Sequence, residues 1–357
     1  MKKINLLLFG VLFIINSCNT AQNPHQEKIN AAKEVAEKFL KSEQIPGMSI
    51  SVSQKGKMIW SEGFGFADVA SKKKVNARTT QFRVASISKT LTALAMAKLV
   101  DDNKLDFDAS LYTYVPDFPK KKYDFTVRQI GGHIAGIRHY NGNEFLLNKK
   151  MSIVEGLDIF KNDSLEFEPG TNYKYSTYGW NLLSVVVQNA AGEDYNEYMK
   201  KVVFSPLQMK NTSLGYSDKE MPNRTLFYVK ENGKIKIGPA VSNEFKAAGG
   251  GFVSTSEDLI LFGNEILNPK TVSKTVIAEL VKPQQTTAGK NTKYGIGIGV
   301  ANVKNNTLRY SHSGGGMGAT AYLLMYPEKE LVISILTNLS SVNIRKIVSE
   351  LEAVFIE

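Results

Sequence analysis

The chain has 357 residues, 43% hydrophobic and 22% charged, an ordinary balance for a polypeptide long enough to bury a sizeable core. Its 44 lysines and arginines against 34 acidic residues give a formal charge of +10, but the cations are scattered, without arginine clusters or interleaved aromatics, so no nucleic-acid partner is expected. No repeat or low-complexity block points to a solenoid or a disordered array, and the single cysteine excludes an internal disulfide.

Residues 1–17, MKKINLLLFGVLFIINS, carry two lysines and then an apolar run of about a dozen residues, too short to span a bilayer comfortably. They read as an export signal. Ile15-Asn16-Ser17-Cys18 resembles a bacterial lipoprotein processing box, in which Cys18 becomes the lipidated first residue of an envelope protein facing the periplasm; an unmodified leader cut near Ala21 is the alternative. Loss of Lys2 and Lys3 with the leader would take the formal charge from +10 to +8. Residues 19–25 form a short polar tether, and residues 26–42 place Ile29, Ala32, Val35, Ala36, Phe39 and Leu40 on one helical face. Two extended runs around residues 54–57 predict a hairpin, and "ATAYLLMY" and "ELVISILTN" around Pro327-Glu328-Lys329 predict another, followed by a closing helix over 342–356. With a helix and hairpin at each end, both ends are expected in one antiparallel sheet with helices against it. Between them, residues 86–101, 127–132, 152–159 and 179–191 read as helices. The expected architecture is therefore α+β, one domain over 26–357: a sheet lobe from 26–80 and 240–357, a mostly helical lobe from 81–239, and a site in the cleft between them.

The stretch "FRVASISKTL" carries the chemistry. On a helix, residues three apart share a face, so the Ser86 hydroxyl and the Lys89 amine can meet, while Ser88 points elsewhere. The segment that follows is small and apolar nearly all round, which implies a buried helix with its polar start at a cleft. Burial disfavours the ammonium form, so Lys89 could accept the serine proton and activate Ser86 as a nucleophile. On the motif alone, a helix cap beside a snorkelling lysine is an equal reading. The same spacing in Ser71-Lys72-Lys73-Lys74 lies in a polar link with nothing to desolvate it, and reads as surface.

Two further clusters follow in order: Tyr175-Ser176-Thr177 before an apolar helix, and His312-Ser313-Gly314 before a glycine run. Together the three sets resemble the motifs of the penicillin-recognising serine hydrolases: Ser-x-x-Lys, Tyr-x-Asn, and Lys-Thr-Gly or its His-Ser/Thr-Gly form. Flanking stretches such as "GGHIAGIRHY" and "AAGGGFVSTSEDLILFG" are similar to the class C-like branch, and most to the mitochondrial serine beta-lactamase-like proteins and their bacterial relatives. The resemblance covers nearly all of the chain after the leader and implies a beta-lactamase/transpeptidase-like fold. It implies Ser86 as the acyl-accepting nucleophile, Lys89 as its base, Tyr175 as the proton relay or itself the base, and the Ser86 and Gly315 N–H groups as the oxyanion hole. His312 stands where the family often has lysine, and Thr177, Ser313 and Gly314 are implied to line the substrate.

Thr177 replaces the asparagine of Tyr-x-Asn, which removes an amide that would hold a substrate side chain. His312 in place of lysine is expected to supply a partial, pH-dependent charge for a substrate carboxylate. Glu144 mimics a class A deacylating glutamate but precedes the tyrosine motif, and His133 and His139 are expected to pin a loop and helix start beneath the cleft. Four histidines, His25 among them, and one cysteine offer no zinc-ligand spacing, and no phosphate loop is present, so no metal or cofactor is implied. The expected function is an envelope serine hydrolase acting through an acyl-enzyme on a small-molecule or peptide substrate. A D-alanyl peptidase or amidase comes first, with a beta-lactamase, an esterase, or a catalytically weak binding protein as alternatives.

Overall fold

The computed structural model describes residues 24–356; the leader and Cys18 lie outside them. In chain order the first elements are α1 (Gln26–Glu43), β1 (Gly47–Gln54), β2 (Lys57–Asp68), β3 (Lys73–Lys74), β4 (Phe82–Arg83) and α2 (Ile87–Asp101). The middle holds α3 (Leu111–Tyr114), α4 (Val127–Gly131), α5 (Thr177–Ala191), α6 (Tyr195–Met199), β5 (Ser213–Leu214), β6 (Tyr228–Glu231) and β7 (Lys234–Ile237). The remainder is β8 (Phe252–Ser254), α7 (Ser256–Leu267), α8 (Lys274–Val281), β9 (Gly299–Asn302), β10 (Leu308–Gly316), β11 (Ala319–Tyr326), β12 (Leu331–Thr337) and α9 (Ile344–Ile356).

Seven strands form one antiparallel sheet in the order β3-β2-β1-β12-β11-β10-β9. The first long strand thus pairs with the last, Ile50 opposite Ile335, and the two chain ends meet at the sheet centre as expected. Strand alternation decides what each face packs against. Met48, Ile50 and Val52 of β1 join α1 and α9 through Phe39, Leu351 and Phe355. The intervening Ser49, Ser51 and Ser53 face α7, where Ser49 and Ser51 hydrogen-bond Ser256, and Ser53 donates to Asn264. Small side chains on this face let α7 lie close: a Cβ on Gly263 would come within 2.4 Å of Val332.

Beyond α7 a second core surrounds α2, whose residues are buried on every side apart from the C-terminal turn. That follows from a helix apolar all round, which must be enclosed. It packs against α5, α8 and the helical turn at 247–251. α8 comes from the stretch assigned to the sheet lobe, and β8 pairs with both β4 and β5, so the chain beyond residue 240 contributes to both halves.

Asn338, fully buried just after β12, ties the sheet to Thr225, in the stretch assigned to the helical lobe. Its carboxamide accepts from the Gly47 N–H at 2.7 Å and donates to the Phe66 carbonyl and the Thr225 hydroxyl at 3.1 and 2.7 Å. Replacing Asn338 with Ala should cost about 3 kcal/mol, because buried groups lose their partners. Urea unfolding would show it; a loss below about 1 kcal/mol would mean that water replaces those bonds.

Candidate active site

The chain turns sharply into α2 through Ala85, whose φ of 45° lies in the left-handed region that costs a non-glycine residue about 1–3 kcal/mol. Ser86 then occupies the N-cap position, but its side chain makes no capping bond. It meets Lys89 instead, with 3.1 Å between Oγ and Nζ. Lys89 is 0% exposed, so it does not snorkel. Its other partners are the Gly249 carbonyl at 2.5 Å and the Thr177 hydroxyl at 3.2 Å, and its Nζ lies 4.9 Å from the centre of the Tyr175 ring. None of these groups is anionic, so nothing offsets the lost hydration, and burial holds the amine well below the ordinary lysine range. A neutral amine has two N–H donors and one lone pair, which suits a carbonyl, a threonine hydroxyl and an incoming serine proton. Ser88 turns away, its hydroxyl accepting from the Phe252 N–H at 3.2 Å.

Tyr175 and Thr177 reach the lysine from the start of α5. Ser176 caps that helix, accepting from the Gly179 N–H and donating to the Arg138 carbonyl. His133 Nδ1 accepts the Ser176 N–H at 3.1 Å and His139 Nδ1 accepts the Thr177 N–H at 3.0 Å, so the two histidines pin the helix start as expected. Each must then carry its proton on Nε2. The His133 ring lies 4.3 Å from that of Tyr175, and the phenol is close enough to interact with the Ser86 and Thr177 hydroxyls. Burial raises the Tyr175 pKa, so it stays a protonated phenol. Thr177, expected along the substrate, instead spends its hydroxyl on Lys89, although it still lines the cleft.

His312 differs from expectation more sharply. It is 6% exposed and sits behind Tyr175, their ring centres 6.3 Å apart. Its Nδ1–H donates to the Ser313 carbonyl at 2.6 Å and its Nε2 accepts from the Tyr294 hydroxyl at 2.8 Å, which satisfies a neutral ring completely. Burial, with Lys89 close by, pushes it down to about 3. No partial positive charge is therefore available at neutral pH for a substrate carboxylate.

Along β10, a Cβ on Gly314 would lie 2.2 Å from the Val84 carbonyl, so glycine is what lets this strand rest against the entry to α2. Gly315, Gly316 and Met317 line the cleft, a cavity of about 220 Å³ that also includes Ser86, Tyr175 and Thr177. Ser313 is exposed beside it and Gly314 is buried behind it; neither lines the cavity. The Ser86 N–H has no acceptor among the described residues and sits at the positive end of a 15-residue helix. Glu144 is held by Arg138 and the Tyr178 hydroxyl, away from the serine, and Ser71 is exposed and bonded to Asp68. Among the described residues, no group of three or more His, Cys, Asp or Glu is placed to hold a metal ion.

Sequence reasoning missed the carbonyl of Gly249. A Cβ there would meet Thr177 Cγ2 at 2.6 Å and Asn181 Oδ1 at 2.7 Å, so only glycine brings the carbonyl onto Lys89. The run Ala247-Ala248-Gly249-Gly250-Gly251 before an apolar strand was its signal. Arg83 and Lys246, also lining the cleft, had none.

Residues 32–347 match the family model described as Beta-lactamase. The Serine beta-lactamase-like protein LACTB, mitochondrial, of Bos taurus is 29% identical in an alignment of 430 positions covering 88% of this chain and 77% of that protein. A D-stereospecific amidohydrolase from Streptomyces sp. superposes with a TM-score of 0.77 at 19% identity, over 92% of this chain and 98% of its own. A class C beta-lactamase does so with 0.78 at 18% identity, over 94% and 98%. At those identities the two structures share the fold.

The buried histidines make folding pH-dependent. His133 lies well below the ordinary range, His139 is pushed down to about 4 and His312 to about 3, in each case chiefly by burial. An unfolded histidine titrates near about 6.5. The contribution of each is thus complete above that pH and is lost as pH falls toward its folded value, because only the unfolded chain takes up the proton. Unfolding free energy should fall by about 1.4 kcal/mol per pH unit for each of His133 and His312 between roughly pH 5.5 and 4, and by less for the half-buried His139, which takes up its own proton near its folded value. Urea titrations across that range would measure it, and a flat profile would contradict three neutral imidazoles.

Proposed function

Because the chain belongs to the beta-lactamase family, we propose that it is an envelope serine hydrolase that cleaves amide bonds of small peptides, a D-alanyl peptidase or amidase, through an acyl-enzyme on Ser86. One observation carries this reading: the Lys89 amine, wholly buried among neutral partners, stands 3.1 Å from the Ser86 hydroxyl. The Ser86 oxygen attacks the amide carbonyl while its proton passes to Lys89, and the oxyanion is held by the Ser86 and Gly315 N–H groups. The Tyr175 phenol gives its proton to the departing nitrogen and recovers one from the Lys89 ammonium, so the serine proton is relayed to the leaving group and both side chains end acylation neutral. Water then attacks the ester, with proton transfers reversed, and releases the acid and free serine. The lowered Lys89 pKa supports the amine as base, and the raised Tyr175 pKa keeps the phenol protonated so that it can relay a proton without remaining ionised.

The amide reading is supported by space and by analogy. A groove of about 720 Å³ adjoins the cleft and shares Phe145, Gly315, Gly316 and Met317 with it, which suits an extended chain better than a compact bicyclic ring. The Streptomyces structure of the same fold is described as a D-stereospecific amidohydrolase. Placement in the envelope, lipid-anchored through Cys18, rests on the leader and processing-box pattern.

A fluorophosphonate probe followed by intact-protein mass spectrometry should add one label, absent in Ser86→Ala. Lys89→Ala and Tyr175→Phe should each lower amide turnover about a hundredfold. In the unsubstituted protein the labelling rate should rise with pH as Lys89 loses its proton. A label that persists in Ser86→Ala would move the nucleophile elsewhere. For the anchor, metabolic labelling with a palmitate analogue should mark the full chain and not Cys18→Ala; equal labelling of both would exclude lipidation at this cysteine.

A further inference from the structure

The wall of the cleft that includes Phe145 and Met317 carries charge that the acyl-transfer steps do not use. Lys246 is 3% exposed, and its Nζ makes one hydrogen bond, to the Phe145 carbonyl at 3.0 Å. An ammonium has three donors, so two have no hydrogen-bond acceptor among the described residues, and Nζ otherwise meets only the Phe245 and Tyr140 rings, 4.9 and 5.4 Å away at their centres. Arg83, half-buried three residues before Ser86, donates to the Met317 and Val241 carbonyls at 2.8 and 3.3 Å, and its guanidinium carbon lies 3.9 Å from the centre of the Phe227 ring. Both cations line the same cavity as Ser86, and neither forms an ion pair among the described residues. Glu244, close enough for its charge to be felt at Arg83, spends its carboxylate on the Ser217 N–H and hydroxyl and on the Ser242 hydroxyl.

Two desolvated cations facing one cavity with no ion pair to either, the nearby Glu244 carboxylate being taken by serine groups, are costly unless an anion completes them. The cost is visible in Lys246, pushed down to about 8 by burial and by Arg83, and in Arg83, pushed down to about 10 chiefly by burial. The imidazole of His312, where a cation was expected, is neutral and buried. We propose that Lys246 and Arg83 form a carboxylate-binding subsite in the cleft, so that the preferred substrates are amides bearing a carboxylate close to the scissile bond. This rests on the serine hydrolase reading and narrows its substrate class.

The test uses binding without turnover, in the Ser86→Ala protein. Isothermal titration would compare N-glutaryl-4-nitroanilide with N-valeryl-4-nitroanilide, which differ by a carboxylate on the acyl half, and 4-(valeramido)benzoate with its methyl ester, which differ on the leaving half. In at least one pair the anion should bind about tenfold more tightly, and the pair that responds identifies the half recognised. Adding Lys246→Met should abolish that preference and Lys246→Arg should retain it. Equal affinities within both pairs, or a preference that survives Lys246→Met, would overturn the subsite. Circular dichroism checks each fold; should Lys246→Met not fold, the two pairs and their loss of preference in high salt decide. Failure of the hydrolase reading would show separately, as an unlabelled Ser86 in the fluorophosphonate assay.

Discussion

The desolvation of Lys89 is the constraint around which the structure is arranged. A lysine buried among neutral groups is unfavourable as a cation, and the chain accepts that by enclosing α2 on every side and giving the amine a carbonyl, a threonine and a serine as partners. Each partner arrives on a different element: Ser86 at the head of α2, Thr177 at the head of α5, Gly249 from the turn before β8. Gly249 and Gly314 have no room for a Cβ, and their absence of side chains lets the backbone close on the lysine from one side and β10 on the entry to α2 from the other. The sheet does no chemistry, but pairing β1 with β12 at its centre holds β11 and β10 in register beside the helix.

The surroundings extend the same logic. His133, His139 and His312 cluster with Tyr175 and Tyr294 in a wall that is polar in composition yet uncharged in the folded chain. Two of the imidazoles use Nδ1 to hold the start of α5, and the third is satisfied by Tyr294 and Ser313. A charged imidazole here would raise the cost of any charge on Lys89, so neutrality of the wall and neutrality of the amine support one another. Positive charge is instead placed in Arg83 and Lys246, which line the same cleft and take carbonyl oxygens and aromatic rings from the protein. On the proposed reading the cleft separates a place for proton transfer from a place for electrostatic attraction.

Much of this was legible from local pattern. The alternation of β1, the apolar runs of β11 and β12, the helical faces of α1 and α9, and the all-apolar run of α2 are properties of neighbouring residues, and each formed the expected element. The Ser86 and Lys89 pairing was legible because a helix brings residues three apart together whatever else the chain does. The exposed Ser71 copy shows the limit of spacing: outside a core the same letters put the serine on Asp68 and Lys74 over the Phe66 ring, not on one another.

What the sequence by itself determined was therefore the set of elements, the order of the three motifs and the apolar enclosure of the helix that carries Ser86, since these depend on interactions within a turn or a strand. Only the tertiary structure decided which charges exist in the site. Whether His312 carries a proton, whether Thr177 faces substrate or lysine, and whether Arg83 and Lys246 meet in the cleft depend on residues far apart in the chain, here about 160 positions between Arg83 and the Val241–Lys246 segment. Ionisation follows local solvation and distance to other charges, which are fixed only once those segments pack.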